Sequence, residues 1–492
     1  MDLSLDAALV WFRRDLRTHD HAALYHALRS ARRVWCVYVV DPEALDAVAP
    51  TDRRLEFVLA SLPDVDRGLA ALGGAHAVAG AGLIVRHGLS AAEVPALAAA
   101  LHVQAVYTQH EDDPQALRCD AQVRGALSNL GIILHTVKDH LVFERDELLT
   151  PAGTPYIAFA PYRAAWLARL TDFDLKAYPV ERHAARLAPI SLDMRQAAPP
   201  LQALGFVPCS EPLRLPAATA GGQSLLTEFL EHRIDQYRLR YEFPALKGPS
   251  YLGVHVRHGT LSVRELAGAA WERAHQGSRG AQMWLGAFIW RDFFHQVLYH
   301  HPSVVDHAFR SELDGIKWEH GKQADARFLA WCEGRTGYPL VDAAMLQLAH
   351  SGYMHQRLRK VAATFLVKHL GIDWRRGAAF FARHLIDHDP AVNNGGWQWA
   401  ASTGCEALSV SRVVNPVSQS QRFDAQGRFI LRYLPQLESL PLPLLHAPWR
   451  ARPIDLASAG ITLGKDYPEP VVDHTLAREQ SLQRYRAAMA LS

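Results

Sequence analysis

Over the first 140 residues, short apolar runs alternate with segments whose apolar positions recur at helical spacing. Ala8–Phe12, Val34–Val40, Leu83–Arg86 and Ala105–Thr108 have the length and character of buried strands, and Arg53–Leu72 and Ala91–Leu101 between them read as helices. This alternation predicts a parallel α/β sheet with right-handed crossovers over residues 1–140. Residues 141–222 lose both periods and carry frequent prolines from Pro151 to Pro216, which predicts a long connector with a short helix at Tyr156–Leu170. From Gln223 the helical period returns and persists to about His384. It is carried by Leu225, Phe229, Ile234 and Tyr237, then Trp284, Phe288 and Arg291, then Leu358, Val361, Phe365 and His369. The expected architecture is an N-terminal α/β parallel-sheet domain, a connector and a C-terminal all-α domain over 223–492, closed by a helix within Glu469–Ala490.

Composition narrows the class. At 492 residues, 49% hydrophobic and 21% charged, the chain reads as a soluble globular protein of two or three domains. A formal net charge of +2 means that nucleic-acid binding would need a local basic patch. The 5 cysteines are scattered and form no C-x-x-C, which argues against a disulfide framework or zinc ribbon and suits a reducing compartment. No apolar run reaches the ~18 residues of a membrane span, and the chain enters a strand almost at once without a signal-peptide pattern. A cytoplasmic protein with no membrane partner is expected. No internal repeat is visible, Gly80-Ala81-Gly82 lacks the third glycine of a dinucleotide fingerprint, and no P-loop occurs. Arg13, Arg14 and Asp15 end the first strand, where open α/β sheets often place ligands, but structural ion pairs are the preferred reading.

The densest chemistry lies in His384–Ser402, HLIDHDPAVNNGGWQWAAS. Pro390 is read as ending a helix, and Asn393 to Gly396 as a tight turn, because proline lacks the N–H and Asn and Gly tolerate left-handed backbone. Carboxylates and amides just before two indoles suit a flat aromatic ligand with polar edges. His384, Asp387 and His388 also permit a rival reading, three metal-type ligands on one helical face of a hydrolase. Pro390 following at once, and no activating Glu nearby, count against it, so no metal is expected. Farther back, Arg357 and Arg359 sit about 200° apart on a predicted helix, so they serve different partners.

NNGGWQWAAS, with TGYPLVDAAM (Thr336–Met345) and VWFRRDLRTHD (Val10–Asp20), resembles the photolyase/cryptochrome family of flavoproteins, and the resemblance runs from about Leu9 to about Arg486. It implies a photolyase-like fold with FAD in the helical domain, and a possible second antenna chromophore of folate or deazaflavin type. By resemblance, Tyr237, Ser250, Leu252, Trp284, Arg359, Asp387, Asp389 and Asn393 bind FAD, with Arg359 paired to Asp387 and the Asn393 amide facing flavin N5. Ser250 stands in a loop that keeps only one of the family's hydroxyls. Trp397, Trp374 and Trp318 match the chain of electron-carrying indoles, whereas Trp331 has no counterpart in it. Trp290 and Trp399 match the indoles that cradle a flipped pyrimidine dimer, and Arg291, Gln356, Arg357 and Lys360 are placed toward DNA.

The lesion pocket departs from the repair pattern. Ala287 replaces a Glu, Lys360 a Met, Gln356 an Asn, Tyr353 a Trp and Tyr241 an Arg. The resemblance implies light-driven splitting of dimers in UV-damaged DNA by electron transfer from reduced FAD. A cryptochrome-like photoreceptor with little or no repair activity is the alternative, and the metal-dependent hydrolase a remote one.

Overall fold

The structure is a computed structural model that describes residues 4–45, 51–209 and 211–490. Two compact units are formed, one from Met1–Tyr156, Ala160–Asp235 and Ser250–Pro302, the other from Ile157–Phe159, Gln236–Pro249 and Ser303–Ser492.

The first unit is built on β1 (Leu5–Phe12), β2 (Ala31–Val40), β3 (Leu83–His87), β4 (Ala105–Gln109) and β5 (Ile133–Val137), all parallel in the order β3-β2-β1-β4-β5. β1 is central and pairs with β2 and β4. Its Ala8, Val10 and Phe12 join one buried cluster, and Ala7, Leu9 and Trp11 join another, so both faces of the sheet are covered. Period-two alternation between two apolar layers is why this strand reads as one continuous apolar run. The edge strand β5 escaped the sequence reading because Ile133 and His135 are exposed and only Leu134 is buried.

β1 and β4 adjoin where the strand order reverses, the place where such sheets open a crevice at their carboxyl ends. Here the crevice is occupied by the chain's own ion pairs. Arg13 reaches Asp120 at 2.6 Å and also donates to the Gln109 carbonyl. Arg14 lies 2.7 Å from Glu111, and Asp15 3.1 Å from His21. A second buried network joins Arg17 and Arg264 to Asp139 and Asp20, tying the loop after β1 to the helix Val263–His275.

The second unit is helical. Pro339–Ser351, Gln356–Thr364, Trp374–His384, Pro390–Ala401 and His474–Ala490 are its main helices. Leu340, Leu358, Phe365, Phe381 and Trp397 share its core with Ile430 and Tyr467. One expectation is overturned here: Asn393–Gly396 is no turn but lies inside a helix, and Pro390 begins that helix instead of ending one. Asp389 is the N-cap, its carboxylate accepting from Ala391 N at 3.1 Å and Val392 N at 3.2 Å. With the cap in place, proline at the first helical position sacrifices no hydrogen bond, and the helix runs through both glycines.

His369 ends a single π turn, Phe365–His369, and its Nε2 lies 2.9 Å from His474 Nδ1 on the closing helix. Burial first, then the neighbouring His474, pushes the His369 pKa down to about 3. The folded pKa lies below the unfolded one, so the unfolded chain takes up this proton first. The stability held by neutral His369 is therefore complete above about pH 6.5 and is lost as pH falls toward 3. Denaturant unfolding at pH 5 should show roughly 2 kcal/mol less stability from this residue than at pH 8, and His369→Gln should flatten that part of the profile. An unchanged slope in the variant would remove His369 from the acid response.

Candidate functional site

In the second unit the helix Gln356–Thr364 carries Arg357, Arg359 and Lys360. His355 caps it, its Nδ1 accepting from Arg357 N at 3.2 Å, and burial followed by the charge of Arg359 lowers the His355 pKa to about 4. A neutral cap suits a helix whose first turn bears two arginines. Arg359 Nη2 donates to both oxygens of Asp387, at 2.9 and 2.8 Å, and its Nε donates to the Met354 carbonyl at 2.9 Å. Asp387 thus fixes the link from Trp374–His384 to Pro390–Ala401, and Asp389 two residues later caps the second of these helices. Asn393 follows one turn into it, its amide nitrogen on the Ala378 carbonyl at 3.1 Å; its side-chain oxygen has no partner among the described residues. Tyr237, in the same unit, stacks on Tyr241 with ring centroids 5.3 Å apart.

This placement removes the metal reading of His384, Asp387 and His388. The helix ends at His384, whose Nδ1 donates to the Phe380 carbonyl, and Asp387 is engaged by Arg359. The three do not share one helical face. Among the described residues, the side chains close enough to ligate one ion are Asp112, His140 and His295, in the first unit. Asp112 Oδ2 lies 3.0 Å from His295 Nδ1 and 3.4 Å from His140 Nε2. Burial opposes its ionisation, but the neighbouring His140 and His295 hold the Asp112 carboxyl well below the usual range. Arg14 Nη2 already lies 2.8 Å from the same His140 nitrogen, and Arg145 Nε 3.4 Å from Asp112. Two guanidiniums balance the carboxylates of Asp112 and Glu111, so a dication would add uncompensated buried charge. The cluster is a hydrogen-bonded hub.

Trp397 is buried against Phe381 at 5.0 Å and Trp331 at 6.1 Å between ring centroids. Its position depends on Gly377, because a Cβ there would overlap the Trp397 ring and crowd Leu366. Trp397 Nε1 is buried with no hydrogen-bond partner among the described residues. Trp374 begins its helix and is buried, while Trp318 is partly buried with its ring 6.4 Å from that of Tyr485. Trp331, which has no counterpart in the matched indole chain, touches Trp397 edge to face.

Two cations lie one turn apart on the same helix. Arg357 forms a close ion pair with Glu242, and its guanidinium lies 4.3 Å from the Phe423 ring centroid. Sequence reasoning missed Glu242, since nothing local marks an acid more than a hundred residues away as the partner. Lys360 places its ammonium 5.1 Å from the Trp399 ring centroid. Gln356 is exposed and Tyr353 half-buried.

The remaining matched residues belong to the first unit. Ser250 Oγ accepts from Leu252 N at 3.4 Å, in a loop where Tyr251 adopts φ 62. Trp284 is buried edge to face on Phe229 and Phe288, at 4.9 and 5.2 Å. Ala287 is exposed, one turn before the half-buried Trp290, on the helix Arg279–His300. Arg291 departs from the expectation of a DNA-facing residue: it is buried and donates to the His140 carbonyl. A guanidinium drawn to a buried carbonyl is not displayed at a rim.

The orphaned Trp397 Nε1, the open Asn393 oxygen and the Arg359–Asp387 pair fit a flat, polar-edged cofactor. Comparison with known proteins agrees. Residues 284–487 match the family model for the FAD binding domain of DNA photolyase, and residues 8–182 that for DNA photolyase. The chain is 36% identical to the deoxyribodipyrimidine photo-lyase of Escherichia coli, covering 98% of each. Its fold is similar to a bacterial class III photolyase from Agrobacterium tumefaciens (TM-score 0.87, 28% identity, 100% and 99% coverage of this chain and that one). It is also similar to the Synechocystis cryptochrome (TM-score 0.86, 27% identity, 98% and 100% coverage).

Trp397→Phe should sharply slow photoreduction of bound flavin by an external reductant, at a cost of roughly 1–3 kcal/mol for the cavity left in the core, with retained flavin absorbance confirming the fold. Gly377→Ala should cost roughly 1–3 kcal/mol by overpacking and slow photoreduction as well, because the indole must move. Photoreduction at the wild-type rate in Trp397→Phe would remove that indole from the path.

Proposed function

The chain belongs to the DNA photolyase family, and from that premise we propose that it is a light-driven deoxyribodipyrimidine photo-lyase that splits pyrimidine dimers in UV-damaged DNA. The observation carrying this reading is the Arg359–Asp387 pair with Asn393 and Trp397 on the helix that follows it, the Asn393 side-chain oxygen and the buried Trp397 Nε1 both lacking a hydrogen-bond partner among the described residues. When bound, reduced FAD supplies the electron that blue light drives onto the lesion. Arg359, Asp387, Asp389, Asn393 and Tyr237 are the holders we assign in the second unit, and Ser250, Leu252 and Trp284 remain assigned by resemblance. Asn393 is a neutral amide: it exchanges hydrogen bonds at the flavin edge without offering a titrating proton. Trp397, Trp374 and Trp318 carry electrons inward to restore the reduced cofactor. Trp399 and Trp290 each offer an aromatic face for an unstacked base. Arg357, Gln356 and Lys360 supply polar contacts to DNA.

A photoreceptor role is the second reading, favoured by the exposed Ala287 where a carboxylate is expected and by the similarity to a cryptochrome. The deciding experiment exposes dimer-containing duplex to the FAD-loaded protein in blue light and in the dark. Light-dependent loss of dimers is expected. Intact photoreduction without any loss of dimers, and without preference for damaged DNA, would overturn repair in favour of sensing.

DNA affinity should depend on a local patch, because the net charge is only +2. Arg357→Ala should flatten the dependence of log affinity on log salt by about 0.9 for duplex DNA. Glu242→Gln, which releases Arg357 from its ion pair, should raise affinity for intact duplex. An unchanged slope in Arg357→Ala would take that residue out of the interface.

A further inference from the structure

Lys360 is exposed and stands one turn after Arg357 on the helix Gln356–Thr364. Its ammonium has no hydrogen-bond acceptor or ion-pair partner among the described residues, and the contact it makes is with the Trp399 ring, 5.1 Å from the centroid. The acids nearest in role are already engaged, Glu242 by Arg357 and Asp387 by Arg359. Burial against its neighbours first, then the positive charge of Arg357, lowers its pKa from the ordinary lysine value. A surface lysine ordinarily sits in water or against a carboxylate; this one is held over an aromatic face beside a second cation. The ring face attracts the ammonium but accepts no ordinary hydrogen bond from it, so its N–H groups stay available to an incoming acceptor.

We infer that Lys360 is the charge-stabilising residue of the lesion site, its ammonium leaving the Trp399 face to hydrogen-bond a pyrimidine carbonyl oxygen of the dimer stacked there. This rests on the repair reading above. The intact dimer carries no charge, whereas the dimer that has received one electron is an anion. Its two cyclobutane C–C bonds then break and the electron returns to the cofactor that supplied it, with no proton gained or lost overall. Lys360 therefore donates a hydrogen bond and keeps its proton throughout. A fixed positive charge attracts the anion much more than the neutral dimer, so it favours splitting more than binding. Arginine would preserve that charge, and methionine would preserve the length of the side chain alone.

The test uses full-length, FAD-loaded wild type, Lys360→Met and Lys360→Arg, with FAD absorbance and melting temperature confirming that each is folded. Affinity for dimer-containing and intact duplexes is measured in the dark, and dimers split per absorbed photon in blue light. Lys360→Met should weaken dark binding of dimer-containing duplex, because a hydrogen bond is lost, but by less than it lowers the splitting yield. It should split roughly tenfold fewer dimers per photon, and Lys360→Arg should recover most of the yield. Equal yields in wild type and Lys360→Met would overturn the inference, as would a Lys360→Arg variant as poor as Lys360→Met, or a loss confined to affinity. Wild type that splits no dimers while its flavin still photoreduces would bring down the repair reading itself. Splitting by wild type with an unaffected Lys360→Met removes Lys360 alone.

Discussion

The Arg359–Asp387 ion pair sets the geometry of the second unit's site. The pair is mostly buried, 20% and 15% exposed, and its coulombic gain is largely offset by desolvation, so it adds little net stability. Its consequence is positional. Arg359 is anchored at Nε by the Met354 carbonyl, so the bond from Nη2 to both carboxylate oxygens fixes where Asp387 lies. Asp387 belongs to the short link between two helices, and Asp389 in that same link caps the second of them. The direction of Pro390–Ala401, and with it the placement of Asn393, Trp397 and Trp399, follows from where that link is held. Removing either partner leaves a charge with no counterion and a helix start with nothing to aim it.

The sheet was legible because its central strands are apolar on both faces, a pattern no other element produces at that length. The edge strand was not, since an edge needs only one buried residue in two. The misreading at Asn393–Gly396 has a physical cause. Asn and Gly are poor helix formers by roughly 0.5–1 kcal/mol each, and a run of four argues for a turn. What outweighed them was Asp-Pro just ahead, a cap and a preorganised first residue, together with burial of Trp397, Gln398 and Ala401 along one side. The pairing of Arg359 with Asp387 followed from resemblance. The turning of Arg291 to the His140 carbonyl and of Arg357 to Glu242 had no local signal, because each partner is supplied by a distant segment.

In the proposed electron-transfer row, packing fixes where the indoles lie. Trp397 lies against the backbone of the Trp374–His384 helix because residue 377 has no side chain. Trp331 fills the other side, its own indole N–H donating to the Ala362 carbonyl at 3.1 Å. Trp331 is therefore structurally coupled to Trp397 whatever its part in conduction. Trp397 Nε1 is buried with no such partner among the described residues. A buried indole normally satisfies its N–H, so the contrast between these touching rings marks Trp397 as the one whose polar atom the protein leaves unpaired.

Charge around the proposed lesion site follows the same logic of what is already paired. The chain is nearly neutral, so attraction for DNA cannot come from its overall field. It must come from cations whose charge is incompletely spent on the protein. Arg357 is held by Glu242 and Arg359 by Asp387, and each must break or share an ion pair to serve a ligand. Lys360 meets only a ring face, a contact worth about 0.5–2 kcal/mol and readily exchanged for a hydrogen bond to an oxygen. Of the three cations on this helix it is the one a substrate can recruit without dismantling a protein contact of comparable strength.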